Sequence, residues 1–142
     1  MGTEEGILLA RRIELSNNSS ECNRLFEFLN QGLDQLPVNP EFRHDLKLVC
    51  EELLANIINH GYDRNTDNRI DIELIADDSS VHITFTDSGV AFNPLETTMP
   101  VASDDLSEGG MGILLVKSLT DRQHYERREG FNVLTVTKNY NK

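Results

Sequence analysis

Between residues 46 and 58 the apolar positions fall at Leu46, Val49, Cys50, Leu53, Leu54, Ile57 and Ile58, the three-and-four spacing of one helical face. Between 81 and 87 the period changes to two: Val81, Ile83 and Phe85 alternate with polar residues, as in a strand buried on one side. Carried along the chain, the same reading predicts strands at 6–15, 70–76, 81–87, 122–128 and 131–138. It predicts helices from Ser19 or Ser20 to about Leu36, from Asn39 to Gly61, and from Met111 to Leu119. Asn39 is a capping side chain followed by Pro40 at the first helical position, and Gly61 is a natural stop. Pro37 ends the first helix, the turn-like run Asp77 to Ser80 joins two strands into a hairpin, and Glu129 and Gly130 join the last two. Residues 88–110 have little periodicity, and a loop of that length inside a compact domain is uncommon and usually functional or disordered.

Polar residues interrupt the second helix. At 100° per residue, Glu52, Asn56 and Asn59 form a stripe along the edge of the apolar arc, while His60 falls inside it near Val49 and Leu53. Taken singly, each of the three reads best as a solvated flank, since Glu and Asn are mostly exposed.

Two further stretches carry chemistry. In DSGVAFNP, residues 87–94, the period of two puts Asp87 on the same face as Phe85, so a carboxylate ends a core stripe and needs donors. Gly89 and Ala91 leave room for a flat ligand against the backbone, although a lone D-x-G is more often a turn. In EGGMGILLVKSL, residues 108–119, Gly109, Gly110 and Gly112 lead into an apolar helix. Its unpaired N–H groups suit an anion, or the glycines are a hinge. The G-K-[ST] of a P-loop is missing.

Composition narrows the partners. The chain has 142 residues, 38% apolar and 26% charged, which suits one domain spanning 1–142. A net charge of −11 argues against direct nucleic acid and anionic membrane as partners. No long apolar run or basic-then-apolar leader is present, so a cytoplasmic location is expected. Cys22 and Cys50 lack C-x-x-C spacing and read as packed thiols.

In order and separation, E-L-L-A-N-I-I-N-H-G-Y at 52–62, D-S-G-V-A-F-N-P at 87–94, G-G-M-G-I-L-L-V-K-S-L-T-D at 109–121 and V-L-T-V-T-K at 133–138 resemble the boxes of the Bergerat-type (GHKL) ATP-binding fold, shared by gyrase and histidine kinases. In detail they resemble the small bacterial anti-sigma-factor serine/threonine kinases of the RsbW type. The resemblance runs from about residue 40 to 138. It implies an α+β two-layer sandwich, with a mixed, mostly antiparallel sheet, three helices on one face and ATP between the layers.

The resemblance also implies roles. Asn56 matches the asparagine that offers its side-chain oxygen to Mg²⁺ bridging the nucleotide phosphates, and Glu52 the general base that takes a proton from a substrate hydroxyl. Asp87 matches the carboxylate that accepts from the adenine amino group, with Gly89 and Ala91 lining the base pocket and Asn132 reaching it through water. Gly110, Met111 and Gly112 match the phosphate-facing hinge of an ATP lid at about 93–110, and Asn59 and His60 lie on the phosphate side, with a packed, structural role equally open for His60. The implied partners are a STAS-domain anti-anti-sigma protein, a sigma factor and a second copy of the chain as a homodimer.

Two departures stand out. Ala91 replaces the second glycine of D-x-G-x-G, and Glu108 stands where some relatives carry a basic residue facing the terminal phosphate. Lys117 and Arg122 are candidate substitutes, but a solvated helix face suits each better. Glu108 keeps open an alternative, a non-catalytic ATP-binding anti-sigma module, which retention of Glu52 opposes. A sensor histidine kinase fits least, because no histidine occurs in the first 40 residues.

Overall fold

The computed structural model describes residues 6–61, 68–96 and 110–140, without the side chains of Ser19, His60 and Met111. In chain order the elements are β1 (Leu9–Ser16), a 3-10 turn (Ser19–Glu21), α1 (Cys22–Leu33), α2 (Pro40–Gly61), β2 (Arg69–Ala76), β3 (Ser80–Asp87), a second 3-10 turn (Pro94–Glu96), α3 (Gly110–Leu119), β4 (Arg122–Arg128) and β5 (Phe131–Asn139).

The strands form one sheet in the order β1-β2-β3-β5-β4. All four pairings are antiparallel, so among the described residues the expected mostly antiparallel sheet has no parallel component. After β3 the chain passes through α3 to the edge strand β4, then turns back at Glu129 and Gly130 to lay β5 beside β3.

Local chemistry fixes the helix ends. Asn39 Oδ1 accepts the Phe42 N–H at 2.8 Å, the cap expected of it, one residue before Pro40. The first helix is shorter than its pattern. The cap position expected at Ser19 or Ser20 falls instead to Glu21, which makes no side-chain cap bond to α1 and turns back to Ser16, while Asn18 Oδ1 accepts the Ser20 N–H of the preceding 3-10 turn. At the other end, Gln35 N–H to Gly32 O and Leu36 N–H to Leu33 O tighten the chain into three-residue turns before Pro37, because the residue before a proline is disfavoured in α geometry.

One hydrophobic cluster joins the helices to one face of the sheet. Leu46, Val49, Leu53 and Leu54 of α2 meet Ile70, Ile72 and Leu74 of β2 and Val81, Ile83 and Phe85 of β3, all at most 1% exposed. Burial of each such side chain contributes about 1.5–3 kcal/mol. On the opposite face the exposed pairs Arg12–Asp71 and Arg69–Glu14 contribute about 0–1 kcal/mol each, so the helix-covered face sets the fold.

Candidate functional site

The helix stripe, the end of β3 and the start of β5 meet at one cleft. Asn56 and Ile57 of α2, Asp87 of β3, Phe92 and Pro94 of the following segment, Tyr125 of β4, and Asn132 and Leu134 of β5 line it. Its interior is narrow, about 20 Å³, roughly the room one water needs.

Asn56 is placed by packing. It is 5% exposed despite lying in the polar stripe, because the neighbouring Leu53, Leu54 and Ile57 anchor that side of α2 in the core. Its Nδ2 donates to the Glu52 backbone carbonyl at 2.9 Å, which commits the amide nitrogen and leaves Oδ1 to accept. Among the described residues no group of three or more His, Cys, Asp or Glu could hold a metal ion.

Asp87 is 4% exposed and lies in register with Asn132. Its Oδ1 accepts the Gly89 N–H at 2.9 Å and Asn132 Nδ2 at 3.1 Å. Both donors meet the same oxygen of the carboxylate. The carboxylate does end the core stripe, as its alternation with Phe85 requires.

Asn132 holds more than Asp87. Its Nδ2 also donates to the Val90 carbonyl at 2.9 Å, and its Oδ1 accepts the Phe92 N–H at 3.3 Å and the Tyr125 hydroxyl. Arg127, its neighbour across the β4–β5 pairing, donates from Nη1 to the Gly89 carbonyl at 2.8 Å. The turn after β3 is therefore templated by side chains of the last hairpin.

Glu52 is half-buried one helical turn before Asn56, with its carboxylate against the first turn of α3. Burial, and secondarily the adjacent Glu51, push its carboxyl above the usual range. Lys117 of α3 is not a bare solvated cation: its Nζ donates to the Leu95 carbonyl at 2.9 Å. Arg122 is exposed.

Of the expected residues, Asn56, Asp87 and Asn132 share the cleft, and Gly89 is buried beside them. Asn132 lines the cleft itself and donates to Asp87 directly. Ala91 and Asn59 are exposed and do not line the cleft, while Gly110 and Gly112 open α3. The His60 and Met111 side chains, Glu108 and the lid from 97 to 109 lie outside the described residues. Sequence reasoning missed Tyr125, Arg127, Phe92 and Pro94. For Tyr125 and Arg127 a signal existed: the two-residue turn at Glu129 and Gly130 fixes the register that pairs them with Leu134 and Asn132.

Comparison with known proteins identifies the family and the fold. A family model described as the histidine kinase-like ATPase domain matches residues 15–138. A serine/threonine-protein kinase, BtrW, of Bordetella bronchiseptica is 31% identical, over 67% of this chain and 69% of its own length. An anti-sigma F factor of Bacillus thuringiensis is 31% identical over 130 residues, 79% of this chain and 86% of that one. For two further relatives the match spans only 55% and 60% of their length. Among solved structures, the RsbU and RsbW domains of Rv1364c from Mycobacterium tuberculosis superpose with a TM-score of 0.67 at 15% identity, over 92% of this chain and 32% of that one, a likeness of fold. The chain belongs to the histidine kinase-like ATPase domain family, among relatives of the RsbW and anti-sigma F type.

Proposed function

We propose that the chain is an ATP-dependent protein serine/threonine kinase and anti-sigma factor of a cytoplasmic partner-switching pathway. It holds a sigma factor in one state and phosphorylates a STAS-type anti-anti-sigma protein in another, working as a homodimer. The observation that carries this reading is the single cleft lined by Asn56, Asp87 and Asn132, with Glu52 one turn from Asn56 on the same helix. The names of the relatives, a serine/threonine-protein kinase and anti-sigma F factors, support the same reading.

Asp87 accepts the adenine amino group on Oδ2, its other oxygen being held by Gly89 and Asn132. Gly89, buried beside the cleft, borders the base. Admitting a purine to so narrow a cleft requires Phe92 and Pro94 to draw back. Asn56 offers Oδ1 to Mg²⁺, and a bound Mg²⁺ supplies neutralisation and alignment of the phosphates. Asn59, His60, Gly110, Met111 and Gly112 border the phosphates, where the backbone N–H groups opening α3 favour negative charge. Glu52, ionised, takes the proton of a serine or threonine hydroxyl as the γ-phosphoryl group moves to that oxygen.

A second reading, an ATP-binding regulatory module without transfer, draws support from Lys117 and Arg127. Both are committed to backbone carbonyls, of Leu95 and Gly89, rather than held ready for a terminal phosphate. Transfer of the ATP γ-phosphate to STAS-domain proteins of the same genome, with Mg²⁺, separates the two readings. The kinase reading expects transfer by the wild type and its loss in Glu52→Ala and Asn56→Ala. Tight ATP binding with no transfer to any STAS protein would sink it.

A further inference from the structure

Gly112 lies in the first turn of α3 and faces Glu52 of α2. A Cβ placed on Gly112 would stand 2.0 Å from Glu52 Oε2, 2.2 Å from Cδ and 2.7 Å from Cγ, all under the 3.0 Å that real Cβ atoms respect. The overlap is with more than the flexible tip, because Cγ is one bond from the Cβ carried on the α2 backbone. That helix cannot yield, since the adjoining Leu53 and Leu54 are at most 1% exposed.

Backbone conformation gives no reason for glycine at 112. Among the described residues the glycine with positive φ is Gly130, at 88°, so an L residue fits the Gly112 backbone without strain. Within a helix alanine is the better former. The requirement for glycine is therefore steric, and what imposes it is the Glu52 side chain.

We propose that Gly112 is a positioning residue for Glu52: the side chain missing at 112 is the space in which the carboxylate lies, so α3 sets where that carboxylate stands relative to Asn56 and the cleft. The functional half of this rests on the reading of Glu52 as the general base. The steric half does not. The steric demand at 112 thus comes from the protein's own carboxylate.

The test is a double-mutant cycle in the full chain with Gly112→Ala, Glu52→Ala and both together, read first by thermal midpoint. Gly112→Ala is expected to lower the midpoint when Glu52 is present and to leave it unchanged or raise it in the Glu52→Ala background. An equal loss in both backgrounds overturns the proposal. In the Glu52→Ala background, a weaker ATP affinity with Ala than with Gly at 112 would assign the glycine to the phosphates instead and overturn the proposal. With STAS-domain acceptor, Gly112→Ala is expected to lower kcat about 10²-fold, the effect of moving a reacting group by about 1 Å, and to displace the acid limb of the pH–rate profile. Unchanged kcat and profile would overturn the positioning role. If the wild type transfers no phosphate at all, the kinase reading fails while the midpoint cycle still decides the steric one.

Discussion

Asn132 Nδ2 stands 3.1 Å from Asp87 Oδ1, and the two side chains, 45 residues apart in sequence, are both buried. The amide contributes more than one donor bond, for it also holds the Val90 carbonyl and the Phe92 N–H. Truncation by Asn132→Ala removes several hydrogen bonds around this buried amide at once. A buried group that loses its partner costs about 1–3 kcal/mol. The variant is expected to lose about 2 kcal/mol or more in urea unfolding and, on the proposed role of Asp87, to bind ATP at least about tenfold more weakly, which is 1.4 kcal/mol. Calorimetric titration giving wild-type affinity would detach Asn132 from the nucleotide site.

Much of this architecture was legible in the sequence because it rests on local rules. The α2 cap at Asn39, the alternation of β3 and the breadth of the α2 apolar arc are each written within a few residues, and the structure follows them. The placing of Asp87 at the end of a core stripe came from the same alternation. What was not legible depends on which strand lies next to which. Tyr125 and Arg127 read as ordinary residues of a charged strand until β5 is laid between β4 and β3, which brings them to the turn after Asp87. The contact between Glu52 and Gly112 likewise joins two helices across the fold. The shorter α1 is a local failure of another kind: apolar periodicity continues through Leu36, which is buried, but three-residue turns before Pro37 deliver it to the core.

The raised carboxyl of Glu52 predicts a direction in pH for both rate and stability. A base must be ionised, so transfer should rise with pH through a value above the ordinary glutamate range, and Glu51→Gln should shift that limb downward by removing the secondary cause. For stability the sign is the reverse of the usual carboxylate case. Between the unfolded and the folded pKa the native state holds more protons, so stability falls as pH rises through that window. Below the unfolded pKa both states are protonated and the penalty vanishes. Glu52→Gln should therefore raise the thermal midpoint at neutral pH relative to wild type, with the difference closing in acid. A midpoint gain that does not change with pH would show that ionisation of Glu52 is not its source.

The turn joining β4 to β5 offers a stabilising substitution away from the site. Glu129 has φ 52° and Gly130 φ 88°, the two left-handed residues of a type I′ hairpin. Glycine adopts that conformation freely, whereas a left-handed residue with a long side chain costs about 1–2 kcal/mol. Asparagine tolerates the region and is favoured with glycine in such turns, so Glu129→Asn should add about 0.5–1 kcal/mol in urea unfolding. ATP binding should stay unchanged, since the residue is exposed and does not line the cleft. A loss of stability would mean that Glu129 makes an interaction that outweighs its backbone cost.

Arg127 tests whether the last hairpin shapes the nucleotide site or merely adjoins it. Its guanidinium donates to the Gly89 carbonyl at 2.8 Å while the residue itself is exposed, so the bond holds a turn and contributes little to the core. A charge-assisted hydrogen bond of this kind contributes about 1.5–3 kcal/mol when well shielded and less near solvent. Loss of about 1 kcal/mol from the geometry of the 89–92 turn would appear as about fivefold weaker ATP binding in Arg127→Ala. Global stability should fall less than in Asn132→Ala, because one bond from an exposed guanidinium is lost rather than several around a buried amide. Lysine, able to reach a carbonyl but not to fork, should recover part of the affinity. If the guanidinium instead meets the phosphates, Arg127→Ala would weaken ADP much less than ATP. Equal weakening of adenosine, ADP and ATP is the outcome expected of a residue that acts through Gly89 on the base.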